Sequence, residues 1–297
     1  MTPSIAIYRR RERKLPRSGR VVLRVGAEHF DLTEESFRSG SPAQVTTLHA
    51  RGFFEAERFA DWLEDTQLRP AEPITEEDEL LSPFLQEEVG KILALGKNFT
   101  EHAREFSEEV PAEPLFFDKL PECMAGSGQA VAPPVGYTGR LDHEVELAVL
   151  IGQRAHCIEP EEAGEVIAGF TVANDLTLRS LQGADRDLRY PWFRSKNFDG
   201  ALPLGPCFVP AACLDPGALT LTARVGDQLR QSANTRDLVV DVPTALAYLS
   251  RHLTLNPGDL ILMGTPAGVG PLEAGDEVVC AISGIGELRT PVRASPG

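Results

Sequence analysis

The chain of 297 residues is 42% apolar, enough for one large hydrophobic core or two smaller ones, which excludes disorder as its main character. Lysine and arginine number 29 against 44 aspartate and glutamate, so the formal net charge is −15. An acidic surface repels phosphate backbones and anionic lipids, and no stretch is long and apolar enough to span a bilayer. Neither nucleic acid nor a membrane is therefore an expected partner.

The five cysteines are odd in number, scattered along the chain and form no C-x-x-C pair. This pattern is typical of reduced thiols and predicts a cytoplasmic protein. Thiolate zinc sites need closer spacing, so we expect these cysteines to pack as small apolar side chains.

The sequence predicts a β-rich α+β protein whose chain divides near residue 88. In residues 1–88, a β-like run at 21–25 and a helical pattern at 53–63 precede an acidic connector at 70–79, which favours a small N-terminal α/β domain. Residues 89–297 form the second domain, rich in short β-branched runs bounded by glycine and proline. The predicted strands there are 92–95, 144–151, 166–173, 219–225, 260–263 and 278–282.

Two helical patterns interrupt these strands. The first begins at Pro160, where acidic residues suit a helix N-terminus. The second begins at Pro243 and places Leu246, Leu249 and Leu253 on one face.

Two glutamates occupy the predicted strand 144–151. Side chains alternate along a strand, so Glu144 and Glu146 project from one face while His143 and Val145 point to the other. Converging buried carboxylates need a cation, and Mg²⁺, Mn²⁺ or Ca²⁺ is the natural partner of oxygen ligands. On this spacing alone, a strand edge with both glutamates in water is the favoured alternative, and His143 is expected to be packed or hydrogen-bonded.

A third carboxylate, Asp175, shifts the balance towards a bound ion because it ends the next predicted strand. If residues 177–181 are helical, Arg179 and Gln182 share a face beside that ion. Asp175 could also cap the helix, and the two roles are compatible.

A set of motifs resembles the fumarylacetoacetate hydrolase (FAH) family over residues 91–293. In chain order they are Gly96-Lys97-Asn98-Phe99 with His102 and Glu105, Phe116-Phe117-Asp118-Lys119, Glu144-x-Glu146, Asn174-Asp175 with Arg179 and Gln182, Ser195-Lys196-Asn197-Phe198-Asp199, Pro203-Leu204-Gly205-Pro206, Gln231 with Asn234-Thr235, and the stretch from Gly264 to Gly270. Each motif alone is weak, but the ordered set is specific. The first 90 residues resemble only loosely the small N-terminal domain of many members.

The resemblance implies an FAH-type mixed β-roll core, usually a homodimer, acting on a small-molecule 2-oxo acid. It implies that Mg²⁺ or Mn²⁺, with Ca²⁺ as a substitute, is bound by Glu144, Glu146 and Asp175. Substrate oxygens would be contacted by Arg179, Gln182, Lys196 and Thr265. It also implies that His102 and Glu105 act as a basic pair on a lid, although these two residues alone are more typical of a solvated helix.

The expected reaction is hydrolysis of a 3-acylpyruvate (a 2,4-dioxo acid) such as fumarylpyruvate. The pair His102 and Glu105 would activate water, the C3–C4 bond would break, and the metal and Lys196 would hold the pyruvate enolate. Alternatives within the family are oxaloacetate-type decarboxylation, isomerisation of 2-hydroxyhepta-2,4-diene-1,7-dioate, and hydration or hydrolysis of a keto-deoxy sugar acid. A catalytically silent metal-binding paralogue is the non-enzyme alternative, and a surface pair with Asp199 is the alternative for Lys196.

The stretch 185–192 is charged and lies between Gln182 and Lys196. Solvated loop charges are its favoured interpretation. A distal substrate carboxylate meeting Arg186 or Arg189 is the alternative.

Overall fold

The computed structural model describes residues 5–33, 69–101 and 111–296. The strands in this part of the chain are β1 (Ile5–Glu12), β2 (Leu15–Val25), β3 (Glu28–Asp31), β4 (Arg69–Pro70), β5 (Ile92–Gly96), β6 (Leu115–Lys119), β7 (Met124–Ala125), β8 (Leu141–His143), β9 (Val145–Ile151), β10 (Ile167–Asn174), β11 (Thr177–Leu178), β12 (Leu202–Pro210), β13 (Thr220–Val225), β14 (Gln228–Asn234), β15 (Leu260–Leu262), β16 (Gly270–Leu272), β17 (Glu277–Ile282) and β18 (Gly286–Pro291). The β-rich α+β prediction is confirmed, and each predicted strand is present with its ends shifted by at most one residue, except that the run at 21–25 lies within the longer β2.

Four α-helices lie between these strands in the described ranges: α1 (Ala163–Val166), α2 (Arg179–Asp187), α3 (Phe193–Lys196) and α4 (Val242–His252). Single 3₁₀ turns occur at Gln86–Glu88, Pro121–Cys123, Pro160–Glu162, Ala211–Cys213, Pro216–Ala218 and Thr235–Asp237. None of these helices has both the length and the apolar character needed to cross a bilayer.

The helix α4 follows its predicted pattern except at its end. Asp241 caps it by accepting a hydrogen bond from Thr244 N at 2.9 Å, and Leu246 and Leu249 are fully buried. Leu253 was wrongly expected on the same face, because it adopts an extended backbone after the last helical residue and is 41% exposed. The predicted helix at 177–181 begins two residues later than expected, because residues 177 and 178 pair with β8 as a short strand.

The main sheet has the strand order β4-β3-β2-β1-β12-β10-β9-β15-β5-β6, with β7 pairing alongside β12. Every residue of β9, β10 and β12 is buried, so these central strands are covered on both faces. Two smaller sheets, β11-β8-β16 and β14-β13-β17-β18, complete the strand pairings. The carboxyl end of β10 and the amino end of β9 therefore meet in the interior.

The N-terminal strands join this same sheet, because β1 pairs with β12 through Ile7 and Phe208. The helical pattern predicted at 53–63 lies outside the described residues. The division into domains at residue 88 stays a prediction.

All five cysteines are free thiols. Cys123, Cys207 and Cys280 are buried, as expected for small core residues. The expectation is wrong for Cys157, which is exposed at a left-handed position (φ 54°) in the loop after β9.

Gly169 marks a place where β10 and β12 approach too closely for a side chain. A Cβ atom there would lie 2.2 Å from the carbonyl oxygen of Val209. We expect Gly169→Ala to lower the free energy of unfolding by about 1–3 kcal/mol through overpacking, measured by urea denaturation. The matched control is Gly164→Ala in α1, where a Cβ meets no atom within 4 Å and should be tolerated. Equal stability of the two variants would contradict this view of the β10–β12 contact.

Candidate metal centre and its cavity

Three buried carboxylates converge where β9 begins and β10 ends. Glu144 precedes β9, Glu146 lies within it opposite Ala173 of β10, and Asp175 follows β10 directly. One oxygen from each carboxylate lies within 4.8 Å of the others, and the three residues are at most 4% exposed. The predicted convergence is confirmed, and the alternative of a solvated strand edge is wrong because these strands are central in the sheet.

His143 lies outside this cluster, as expected from strand alternation. Its Nδ1 lies 3.0 Å from Gln231 Oε1, which also accepts a hydrogen bond from Val145 N at 3.1 Å. Burial lowers the pKa of His143, so the ring is neutral and its Nδ1–H donates to the amide oxygen. His143 is a hydrogen-bonded core residue.

Lys196 places its ammonium group directly between two of the carboxylates. Its Nζ lies 2.7 Å from Glu144 Oε2 and 2.6 Å from Asp175 Oδ2. Burial alone would lower the pKa of Lys196, but the charges of Asp175 and Glu144 outweigh it and raise that pKa. The alternative of a surface lysine paired with Asp199 is wrong, because α3 directs Lys196 into the interior.

Lys119 is a second buried lysine, to which the sequence analysis assigned no role. Its Nζ lies 2.7 Å from Asp175 Oδ1 and donates to the carbonyl oxygens of Lys196 and Ala201. The contact with Asp175 Oδ1 is an ion pair whose hydrogen-bond geometry is poor. The sequence signal for Lys119 was its position just after the apolar residues 115–117 in the family motif. The burial of Lys119, however, depends on loops that are distant in the sequence.

Arg179 and Gln182 are adjacent on α2, as predicted. Arg179 Nη1 donates to Gln182 Oε1 at 2.6 Å, its Nη2 donates to Glu144, and its Nε donates to Asp142 at 2.8 Å. Burial alone would lower the pKa of Arg179, but Glu144 and Asp142 outweigh it and raise that pKa. Asp142, which the sequence analysis missed, is fully buried and also accepts from Arg140, so it fixes the direction of Arg179.

Thr265 reaches the same place from the loop after β15. Its hydroxyl accepts a hydrogen bond from Gln231 Nε2 at 2.8 Å. The preceding Gly264 has φ +88° and donates its N–H to Glu146 Oε2 at 2.7 Å. This turn therefore holds one carboxylate of the cluster and one predicted substrate contact together.

A cavity of about 200 Å³ joins these groups. Its walls contain the three carboxylates and the four predicted substrate contacts Arg179, Gln182, Lys196 and Thr265, together with Leu95, Gly96, Lys97, Phe117, Gly183, Arg186 and Trp192. His102 and Glu105 lie outside the described residues, so their role as a basic pair stays a prediction. Gly96 and Lys97, from the same motif, line the cavity wall.

The stretch 185–192 is not a uniformly solvated loop. Asp185 is fully buried and accepts hydrogen bonds from Arg194 Nε at 3.0 Å on both carboxylate oxygens. Arg186 lines the cavity, whereas Arg189 is not among the lining residues. The interpretation as solvated charges is wrong for Asp185 because α2 packs this residue against α3.

The cluster fits a hard divalent cation. Burial first, and then the charges of Asp175 and Glu144, raise the pKa of Glu146 well above its usual range, in spite of Lys196 and the Gly264 N–H. Three buried carboxylates supply the all-oxygen donor set that Mg²⁺ and Mn²⁺ prefer. Glu144, Glu146 and Asp175 could hold such an ion.

Replacing Glu146 with Gln tests two properties of the cluster separately. One is the loss of stability that buried negative charge causes in the metal-free protein, and the other is the affinity of the cluster for metal. A carboxyl with a raised pKa in the folded state destabilises the fold above its unfolded pKa, so we expect Glu146→Gln to raise Tm at pH 8 in chelator and to gain little at pH 4. The variant should lose the rise in Tm that Mn²⁺ gives the unsubstituted chain. Thermal denaturation with and without Mn²⁺ measures both effects.

Asp185→Asn is the matched control, since Asp185 is a buried carboxylate outside the cluster. This variant should keep its Mn²⁺-induced rise in Tm whatever its apo stability. A full metal response in Glu146→Gln would remove Glu146 from the ligand set.

The chain is similar in sequence and in fold to several known proteins. Oxaloacetate tautomerase YcgM of Escherichia coli strain K12 is 40% identical over 198 residues, covering 66% of this chain and 90% of YcgM. A structure of fumarylacetoacetate hydrolase from the psychrophile Exiguobacterium antarcticum is 30% identical with a TM-score of 0.81, covering 98% of this chain and all of that one.

A structure of fumarylpyruvate hydrolase from Pseudomonas aeruginosa, in complex with Mn²⁺ and pyruvate, is 31% identical with a TM-score of 0.66. The alignment covers 77% of this chain and all of that one. Residues 91–293 match the family model for the fumarylacetoacetate hydrolase C-terminal domain, so this chain belongs to the fumarylacetoacetate hydrolase family of enzymes.

Proposed function

We propose that this chain is a metal-dependent hydrolase that cleaves the C3–C4 bond of 3-acylpyruvates such as fumarylpyruvate. The observation that carries the proposal is the position of Lys196. Its buried ammonium group lies between Glu144 and Asp175, in a cavity that also holds Arg179 and Thr265. A desolvated cation at this point suits a reaction in which negative charge develops on a substrate oxygen.

The resident ion in this proposal is Mg²⁺ or Mn²⁺, with Ca²⁺ as a substitute, held by Glu144, Glu146 and Asp175. When bound, the ion would supply Lewis-acid polarisation of the 2-oxo group. The complex of the P. aeruginosa fumarylpyruvate hydrolase with Mn²⁺ and pyruvate supports this assignment.

The substrate carboxylate and 2-oxo oxygen would be bound by Arg179, Gln182 and Thr265. Asp142 directs the Arg179 guanidinium, and the Arg179–Gln182 hydrogen bond positions the amide. Such groups bind and orient a 2-oxo acid before it reacts. The entropy loss of positioning the reactants then occurs on binding, and the activation free energy of the chemical step falls.

The reaction adds one water to one carbon–carbon bond. His102, oriented by Glu105, accepts a proton from water while the oxygen attacks the C4 carbonyl. The C3–C4 bond then breaks, and its electron pair passes to C3 and is delocalised onto the 2-oxo oxygen beside Lys196. Protonation at C3 gives pyruvate, and the acyl part leaves as a carboxylic acid.

Oxaloacetate tautomerisation is the second candidate, favoured by the 40% identity to YcgM. It moves a proton between C3 and the 2-oxo oxygen and needs the same cationic groups without an attacking water. The remaining alternatives are oxaloacetate-type decarboxylation, isomerisation of a 2-hydroxydienedioate, keto-deoxy sugar acid chemistry and a silent metal-binding paralogue.

Three other expectations stay predictions: a homodimer, a cytoplasmic location, and the absence of nucleic-acid and membrane partners.

The discriminating experiment uses chelator-stripped protein with and without added Mg²⁺ or Mn²⁺. Loss of the diketo absorbance of acetylpyruvate and fumarylpyruvate reports hydrolysis, and pyruvate release or keto–enol interconversion of oxaloacetate reports the alternatives. Metal-restored cleavage of a diketo acid is the expected result. Activity on oxaloacetate alone would contradict the hydrolase assignment and favour a tautomerase or a decarboxylase.

His102→Ala tests the source of the activated water. We expect kcat for acylpyruvate hydrolysis to fall about 10²- to 10⁴-fold, the usual contribution of a general base. The Mn²⁺-induced rise in Tm should persist, because His102 is not among the proposed metal ligands. The control is His156→Ala, a substitution of an exposed histidine in the loop after β9 that does not line the cavity. Normal hydrolysis by His102→Ala would remove this residue from the mechanism.

A further inference from the structure

One face of helix α2 forms a continuous part of the cavity wall. Arg179, Gln182, Gly183 and Arg186 all line the cavity, and their spacing of i, i+3, i+4 and i+7 places them on one side of a helix. The helix therefore presents two arginines to the same space, seven residues apart.

This face runs from the buried carboxylates to the mouth of the cavity. The Arg179 side chain is only 14% exposed beside Glu144, whereas Arg186 is exposed. At the helical rise of 1.5 Å per residue, the Cα atoms of these two arginines are about 10 Å apart. A Cβ atom on Gly183 would meet nothing within 4 Å, so the space between the two arginines is open.

The charged lining residues outside the carboxylate cluster differ from it in the sign of their charge. Among the described residues that line the cavity, the acids are the three of the cluster, and Lys196 and Arg179 already bind two of them, Glu144 and Asp175. The remaining lining charges, Lys97 and Arg186, are both positive. A wall of this kind favours an anionic group away from the carboxylate cluster.

The end of α2 is firmly held, so Arg186 projects from a fixed element. Asp185 is buried, is not among the cavity-lining residues, and accepts hydrogen bonds from Arg194 of α3 on both carboxylate oxygens. Its backbone carbonyl also accepts from Tyr190 N at 2.8 Å. The carboxylate next to Arg186 in the sequence is thus paired with another arginine, Arg194.

We propose that Arg186 is the residue that binds the distal carboxylate of a dicarboxylic substrate such as fumarylpyruvate, and so selects it over monocarboxylic acylpyruvates such as acetylpyruvate. This rests on the proposed function, which places the 2-oxo acid end beside Arg179. An extended diacid of six or seven carbons spans roughly 6–8 Å between its carboxylate carbons, and the flexible side chains of the two arginines can close the rest of the roughly 10 Å between their Cα atoms. The incoming carboxylate joins or replaces the contacts that Arg186 already makes.

The test compares two unreactive ligands that differ only at the far end, 2-oxoadipate and 2-oxohexanoate. Calorimetric titration of the Mn²⁺-loaded protein should give about tenfold tighter binding of 2-oxoadipate, the factor that about 1.4 kcal/mol supplies. Arg186→Ala should remove this preference by weakening 2-oxoadipate alone, and Arg186→Lys should restore part of it. Binding of 2-oxohexanoate should not change in either variant.

Arg251→Ala is the matched control, since Arg251 is an exposed arginine in the last turn of α4, bound to Glu159. It should keep the full preference. An undiminished preference in Arg186→Ala, or none in the unsubstituted protein, would overturn the role of Arg186 alone. Failure of the Mn²⁺-loaded protein to bind either acid would overturn the proposed function and this inference with it.

Discussion

Much of the structure depends on keeping three carboxylates together in the protein interior. Without nearby cations, Glu144, Glu146 and Asp175 would repel one another, and the desolvation of their buried charges would destabilise the fold. The antiparallel pairing of β9 and β10 sets their positions, because Asp175 N donates to the carbonyl oxygen of Glu144 at 2.9 Å. Backbone hydrogen bonds in the centre of the main sheet thus impose a geometry that side-chain electrostatics alone would disperse.

The cations around the cluster arrive from separate parts of the chain. Lys119 comes from β6, Arg179 from α2 and Lys196 from α3. Each stabilises one or two carboxylates and thereby ties its own element to the central strands, so folding and site assembly are coupled.

The parts of the site that local periodicity determines could be predicted from the sequence. Strand alternation was enough to bring Glu144 and Glu146 together and to turn His143 away, and helical spacing was enough for Arg179 and Gln182. Lys119 and Asp142 could not be found in this way, since the burial of Lys119 depends on the carbonyls of residues 196 and 201. The prediction for Leu253 was wrong for a local reason, because helix α4 ends one residue before the apolar pattern does.

The pairing of β1 with β12 has a consequence for how the chain can be divided. In the main sheet β12 lies between β1 and β10, and all nine of its residues are buried. A fragment beginning near residue 89 would turn β12 into an open edge with unpaired backbone groups and apolar side chains, the kind of surface that recruits other strands and promotes aggregation. The N-terminal strands thus cover this edge of the sheet, and two strands, β12 and β10, separate them from the carboxylate-bearing β9.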